Sequence, residues 1–431
     1  SSRPARGAMA GRSLPAVSRR VEQYARHTAT PVTLRELYRW GCGGAAERTH
    51  MREYLHTEVA VRNAQLCKEL QLLPFGLAQA RSTARVMSLY SQYVDWLDEF
   101  PKPVDEDGER RFLELLRRIL DDSVLVIPRL GEAVREVREQ MSEERYEEFR
   151  SEISLIMDRF CIKRIGLRFL LEHFIESSEA KPGASGIIHS NVSVGPILRT
   201  AGDTARKACA ARYGAAPEVQ VVGDGQWSSV LRSAADLSHN RQFTYVPSHL
   251  SFMCVELLKN ACEAVVRHHR DKAASRLPPV QAIFAHGDEE VCVKISDQGG
   301  GIARSDMLLA WSYFDVVGKA GVQDAAKGTG LPLARLHARY YGGDLVLKSM
   351  EGFGTDAYLF MNRLGENCEK LPPGVRLSPA QSDSSLGKGE SISLDSLGTM
   401  SDQETAFLER CLEQHRRRRQ WRVMDSVSGA T

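Results

Sequence analysis

Between residues 31 and 176 the apolar side chains recur at helical spacing. Phe112, Leu116, Ile119, Leu120, Ile127, Leu130, Val134, Val137 and Met141 return about once per 3.6 residues, as on one buried face of a helix. The pattern predicts long amphipathic helices over roughly 48–70, 80–98, 109–141 and 143–176. Thr33-Leu34-Arg35-Glu36 reads as a capping box that opens a shorter helix before Gly41. Pro128 lacks a backbone donor and is expected to kink the third long helix. Four such helices on short loops suit an antiparallel four-helix bundle over residues 31–176.

Beyond this region the texture changes. Ser177–Gly186 is small, polar and rich in Pro and Gly, so residues 177–190 read as a linker. Helical stretches at 194–213, 247–269 and 331–341 then alternate with antiparallel-looking strands at 219–222, 279–285, 290–296, 344–349 and 356–361. That order suits an α/β sandwich with helices on one sheet face, over residues 191–365. The chain as a whole is therefore expected to be α+β with two domains. From 366 the periodicity is lost. Residues 378–402, rich in Ser, Gly and Asp, are expected to be disordered. A short helical piece at 403–424 carries Arg416–Arg419, which reads as a solvated basic face.

Composition narrows the function. With 431 residues, 42% of them hydrophobic and 26% charged, the chain suits a soluble globular protein of about two or three domains. A net charge of +2 gives no global argument for nucleic-acid binding. Apolar runs such as Val124–Ile127 are too short to span a bilayer. The nine cysteines are odd in number and form no C-x-x-C pair, so they read as reduced thiols. In residues 1–30, Arg3, Arg6, Arg12, Arg19 and Arg20 all precede the first acid, Glu22. Such a start suits either a mitochondrial import segment or a plain basic tail.

Four short boxes carry candidate chemistry. On the 247–269 helix, Glu256 and Asn260 stand one turn apart and share a face. The amide oxygen of Asn260 suits a hard cation such as Mg²⁺, and Glu256 suits a proton acceptor. Asp297-Gln298-Gly299-Gly300-Gly301 follows a strand; its carboxylate can accept from an exocyclic amine, and its glycines allow a close backbone approach. Lys327-Gly328-Thr329-Gly330-Leu331 runs into a helix whose N-terminus favours an anion such as triphosphate. Gly352-Phe353-Gly354-Thr355 lies between two strands, and the Thr355 hydroxyl can bond a base edge. Singly, each box also reads as ordinary helix surface, a turn or a cap. In this order within about a hundred residues they describe parts of one ATP–Mg²⁺ site. Residues 303–326, with Gly318 and Gly321, read as a mobile lid.

The order of boxes resembles the GHKL (Bergerat) superfamily of gyrase, chaperone ATPases, histidine kinases and mismatch-repair ATPases. The chain is more closely similar to the mitochondrial 2-oxoacid dehydrogenase kinases, of both the pyruvate and the branched-chain type. The resemblance rests on Tyr245–Leu250, Glu256–Ala261, Lys294–Asp297, Gly328–Pro332, Ala338–Tyr340 and Ser349–Asp356. In the N-terminal half it rests on Thr33–Glu36, Asp158–Phe160 and Arg164–Arg168. It implies an ATP-dependent serine kinase acting on the E1 subunit of a 2-oxoacid dehydrogenase complex in the mitochondrial matrix. It also implies docking to the lipoyl domain of E2 through the helical half and a homodimer through the ATP-binding half. By motif position Asn260 would hold Mg²⁺, with K⁺ a further candidate ion, and Glu256 would be the base. Asp297 and Thr355 would hold adenine. Gly299, Gly301, Lys327, Gly328, Thr329, Gly330 and Leu331 would form the rest of the nucleotide site.

The chain departs from that pattern at several places. Phe252 stands where the pyruvate type has a His four residues before the base. Glu263 replaces a basic residue three beyond Asn260 and is expected to add negative charge near the metal. Ala326 replaces a glycine, Ser123 stands where a His is common, the lid is short, and the tail carries no Asp-Trp pair. Tyr245–Leu250 looks like the pyruvate type, whereas Ile165–Arg168, Leu257–Asn260 and Tyr213–Pro217 look like the branched-chain type. Two alternatives stay open. A non-catalytic ATP-binding regulator is favoured by Phe252 and Glu263. A two-component histidine kinase is disfavoured because no His is followed by Asp or Glu.

Overall fold

The computed structural model describes residues 17–178, 182–223, 243–271, 273–314, 328–363, 365 and 367–372. Its N-terminal part is helical: α1 (Arg19–Tyr24), α2 (Leu34–Cys42), α3 (Ala45–Gln71), α4 (Arg81–Glu99), α5 (Glu106–Asp122), α6 (Val126–Arg138) and α7 (Glu143–Glu176). The capping box forms as expected: Thr33 Oγ1 accepts from the Glu36 N–H at 3.0 Å, and Glu36 accepts from the Thr33 N–H at 2.9 Å. Within the basic N-terminal segment, α1 is capped by Ser18 and buries Val21, while Arg20 pairs with Asp98 at 2.8 Å. The end of that segment is thus part of the packed structure.

The third long helix is not one kinked rod. It is cut by the 3₁₀ turn Ser123–Leu125 into α5 and α6. Pro128 falls in the first turn of α6, where a missing N–H costs nothing. The carbonyls ending α5 are instead taken by side chains. Ser123 Oγ and Arg168 Nη1 donate to the Leu120 carbonyl at 2.8 and 3.2 Å, and Arg164 Nη2 donates to that of Ser123 at 2.8 Å. Donors from α7 offset the bonds a continuous helix would have made.

The C-terminal part holds α8 (Val194–Tyr213), α9 (Pro247–His268) and α10 (Gly330–Tyr340). Two residues each of Ala184–Ser185 (β1) and Ile188–His189 (β2) pair as a small hairpin inside the linker. The main sheet runs β3 (Val219–Val222), β4 (Val280–His286), β5 (Glu290–Ser296), β6 (Asp344–Met350) and β7 (Gly354–Asn362) in the order β3-β4-β5-β7-β6. It is mixed, not antiparallel throughout, because β3 runs parallel to β4. One face of the sheet buries Val280, Ala282, Val291, Val293, Ile295, Leu345, Ala357, Leu359 and Met361. Alternation puts Ile283, Lys294, Tyr358 and Val346 in register across the other face, half-exposed.

Order also continues past 365, where the periodicity ends. Thr33 pairs with Cys368, and the Glu369 side chain is buried against Arg62 of α3. The expected lid from 315, the Ser-rich stretch 378–402 and the piece 403–424 lie outside the described residues. Among the described residues the cysteines are free, no helix is long and apolar enough to cross a membrane, and no His/Cys/Asp/Glu group is arranged to hold a metal.

Candidate active site

Helix α9 starts on Pro247 at its first positions and turns Leu250, Cys254, Leu257, Leu258, Ala261 and Val265 into the core. Glu256 and Asn260 are left on another face. The Glu256 carboxylate is half-buried and receives Lys259 Nζ at 2.7 Å. Asn260 is exposed, and its side chain makes no hydrogen bond among the described residues, so its amide oxygen is available to a cation.

Against this face lies the start of α10. A Cβ built on Gly330 would fall on Glu256 Oε2, so with glycine there the helix N-terminus lies against that carboxylate in its present place. Gly328 has φ +83°, a left-handed conformation that favours glycine. Thr329 is buried at the N-cap, where its carbonyl accepts from the Leu333 N–H at 3.0 Å, and Leu331 is half-buried. The first N–H groups of α10 lack partners within the helix, and no side chain caps them at Thr329. Lys327 and Ala326 lie outside the described residues.

The two remaining boxes are stitched together. Asp297 follows β5 and is buried; its Oδ1 accepts from the N–H groups of Gly299 at 2.8 Å and Thr355 at 3.3 Å. Its own N–H donates to the Thr355 carbonyl at 3.0 Å. Burial pushes the Asp297 carboxyl above the usual range, against the pull of those two amides. The Gly300 N–H donates to the Phe353 carbonyl at 3.1 Å, and the Gly352 N–H to that of Gly300 at 2.8 Å. A Cβ on Gly354 would strike the Asp297 carbonyl, and one on Gly301 (φ +71°) that of Met350. A Cβ on Gly299 would come within 2.5 Å of Ala264 Cβ, one turn beyond Asn260. The turn at 297–301 therefore lies against α9 and links the first box to the second.

One expectation changes. Glu263 does not add free charge beside Asn260: it turns to the end of α8, where Arg212 approaches at 3.4 Å and the Tyr213 hydroxyl donates at 3.2 Å. The ring of Phe252 packs on His337, with centroids 5.0 Å apart, so that position offers Glu256 no hydrogen-bond donor and Lys259 pairs with it instead. One residue was missed. Ser349 stands opposite Thr355 in the β6–β7 register, 2.9 Å from its hydroxyl. The glycine turn at 352 predicts that pairing, since the hairpin register fixes which residues face each other.

The chain is similar to known proteins along most of its length. The family described as mitochondrial branched-chain alpha-ketoacid dehydrogenase kinase matches residues 31–195. The chain is 33% identical over 371 residues to the mitochondrial [pyruvate dehydrogenase (acetyl-transferring)] kinase of Arabidopsis thaliana, covering 79% of this chain and 96% of that protein. It is 31% identical to the Drosophila melanogaster protein of the same description, over 86% of this chain and 90% of that one. With isozyme 1 of Mus musculus it shares 32% identity, over 82% of each.

Proposed function

The chain belongs to the mitochondrial 2-oxoacid dehydrogenase kinases, and from that premise we propose that it is an ATP- and Mg²⁺-dependent protein serine kinase of the GHKL fold that phosphorylates and inhibits the E1 subunit of a 2-oxoacid dehydrogenase complex in the mitochondrial matrix. One observation carries the reading: Gly330 sets a helix N-terminus directly against the Glu256 carboxylate. An anion-binding end and a proton acceptor thereby meet at one point, as phosphoryl transfer to a hydroxyl requires.

In this reading Asp297 accepts from the adenine amine and Thr355 bonds the same base edge. The N–H groups at 328–331 hold the phosphate oxygens, with Lys327 adding charge. Glu256 orients the substrate serine and takes its proton, while Lys259 fixes the carboxylate. The exposed amide oxygen of Asn260 fits Mg²⁺ and would hold it, and the ion would supply charge neutralisation. K⁺ is a further candidate ion. The helical half, read as a four-helix bundle, docks the E2 lipoyl domain. A homodimer forms through the ATP-binding half, for which the half-exposed face around Tyr358 and Phe360 is suited.

The relatives are named for pyruvate dehydrogenase and the matching family for the branched-chain enzyme, so both E1 proteins belong in the test. Purified chain is expected to transfer phosphate from ATP to serine of one of them. Glu256→Ala is expected to keep ATP binding and lose transfer; Asn260→Ala is expected to lose Mg²⁺-dependent ATP uptake in calorimetry. ATP binding without transfer to either E1 would favour a regulatory binding protein, the reading that Phe252 supports. No uptake of ATP would refute the site itself.

A further inference from the structure

The Ser349 hydroxyl sits between two groups of the site that the boxes do not connect. The Ile302 N–H donates to Ser349 Oγ at 2.7 Å, and Ser349 Oγ lies 2.9 Å from Thr355 Oγ1 and 3.4 Å from the Gly354 carbonyl. A hydroxyl has one proton to give. The Ser349 oxygen already accepts from Ile302, so its proton goes to one of two oxygens. At 2.9 Å Thr355 is within the ordinary O–H···O range, and at 3.4 Å Gly354 is outside it. Given to Thr355, the nearer oxygen, the Ser349 proton would leave the Thr355 hydroxyl's own proton free to point away from Ser349.

We propose that Ser349 is a positioning residue that fixes the direction of the Thr355 proton, and so selects nucleotides bearing a 6-aminopurine over those bearing a 6-oxopurine. Asp297, beside Thr355, is an acceptor, and its Oδ1 is committed to the N–H groups of Gly299 and Thr355. Thr355, polarised by Ser349, is a donor. An acceptor next to a donor complements an exocyclic amine next to an unprotonated ring nitrogen, the edge of adenine. Hypoxanthine and guanine reverse both positions: a 6-oxo acceptor would meet the carboxylate, and a protonated ring nitrogen would meet a donor. Buried groups left unpaired in this way discriminate strongly. Without Ser349 the Thr355 hydroxyl can rotate to accept, and half of the mismatch disappears. The relay rests on the nucleotide reading of the site, yet it predicts a ratio and not the binding itself.

The test is calorimetric titration of the full chain with Mg²⁺–ATP and Mg²⁺–ITP, for wild type, Ser349→Ala and Ser349→Thr. ITP isolates the exchanged edge, because inosine lacks guanine's 2-amino group. Wild type is expected to prefer ATP. Ser349→Ala is expected to lower the ATP:ITP affinity ratio by about tenfold, the worth of one hydrogen bond, and Ser349→Thr, which keeps the hydroxyl, to restore it. If ATP and ITP weaken in parallel in Ser349→Ala, or the ratio does not move, the inference is overturned while the nucleotide site stands. If wild type binds neither, the underlying reading fails first. Should Ser349→Ala melt early, Thr355→Val gives the second arm: loss of the terminal donor should also narrow the ratio, and undiminished preference for ATP would overturn the relay.

Discussion

A Cβ at position 330 would meet the Glu256 side chain, overlapping Oε2 and Cδ and crowding Cγ, and all three belong to the outer part of a flexible side chain. Gly330→Ala can therefore be accommodated by moving the carboxylate while the fold stays. Alanine is also the better helix former, by up to about 1 kcal/mol. The expected outcome is an unchanged or slightly raised melting temperature with phosphotransfer reduced by roughly one to two orders of magnitude, the usual worth of a positioned base. Wild-type turnover in this variant would mean that the carboxylate's place does not matter. The same logic explains what could be read from the sequence at this scale. Gly299, Gly330 and Gly354 mark close approaches, and the residue type itself reports the lack of room. Ser349 and Glu263 do not announce themselves. The role of Ser349 depends on what faces it across a hairpin, and the charge of Glu263 is spent on Arg212 and Tyr213, 51 and 50 residues upstream.

Among elements, α7 and α10 show where periodicity is silent. It located the long helices, but not the turn that divides α5 from α6, since side chains of α7 satisfy the α5 carbonyls there. The same helix α7 holds Asp158, whose carboxylate receives the Tyr313 hydroxyl at 2.6 Å, one residue before this described stretch ends at 314. Burial pushes the Asp158 carboxyl up to about 6, against the Tyr313 hydrogen bond and the charges of Arg335 and Arg339 on α10. The unfolded chain loses that proton near the ordinary value of 3.8. Between the two values the folded chain holds a proton that the unfolded chain has released, so the stability it confers is complete below 3.8 and lost as pH rises through about 6. Asp158→Asn keeps a neutral group of the same shape. Relative to wild type it is expected to gain stability, on the order of 2 kcal/mol, as pH climbs across this window, and to run parallel above about pH 7. Urea midpoints at a series of pH values would show this. Curves parallel throughout would mean that the carboxyl titrates normally.

At the scale of the molecule, the switch from helical to alternating periodicity separated the two halves, but the tie between them was invisible. Arg62, buried on α3, donates to Glu58 at 2.7 Å and to both oxygens of Glu369 at 2.9 and 2.5 Å. Glu369 also accepts from the Val32 N–H at 3.0 Å and from the Tyr340 hydroxyl on α10. Its distance in sequence from Arg62, 307 residues, is why the loss of pattern at 366 looked like the end of the folded region. One buried guanidinium thus joins the helical half, the last turn of α10 and the strand exit after β7. Burial of these charges is unfavourable by itself, so the cluster holds only while every member is paired. Glu369→Gln leaves Arg62 short of a carboxylate and is expected to cost about 3–5 kcal/mol in urea unfolding. Replacing all three charged members by apolar groups, as in Arg62→Met with Glu58→Met and Glu369→Leu, is expected to recover much of that loss, because no buried charge is then left unmatched. If the triple variant is as unstable as the sum of the single ones, the cluster does not act as a unit, and the tie must be carried by the apolar packing around it.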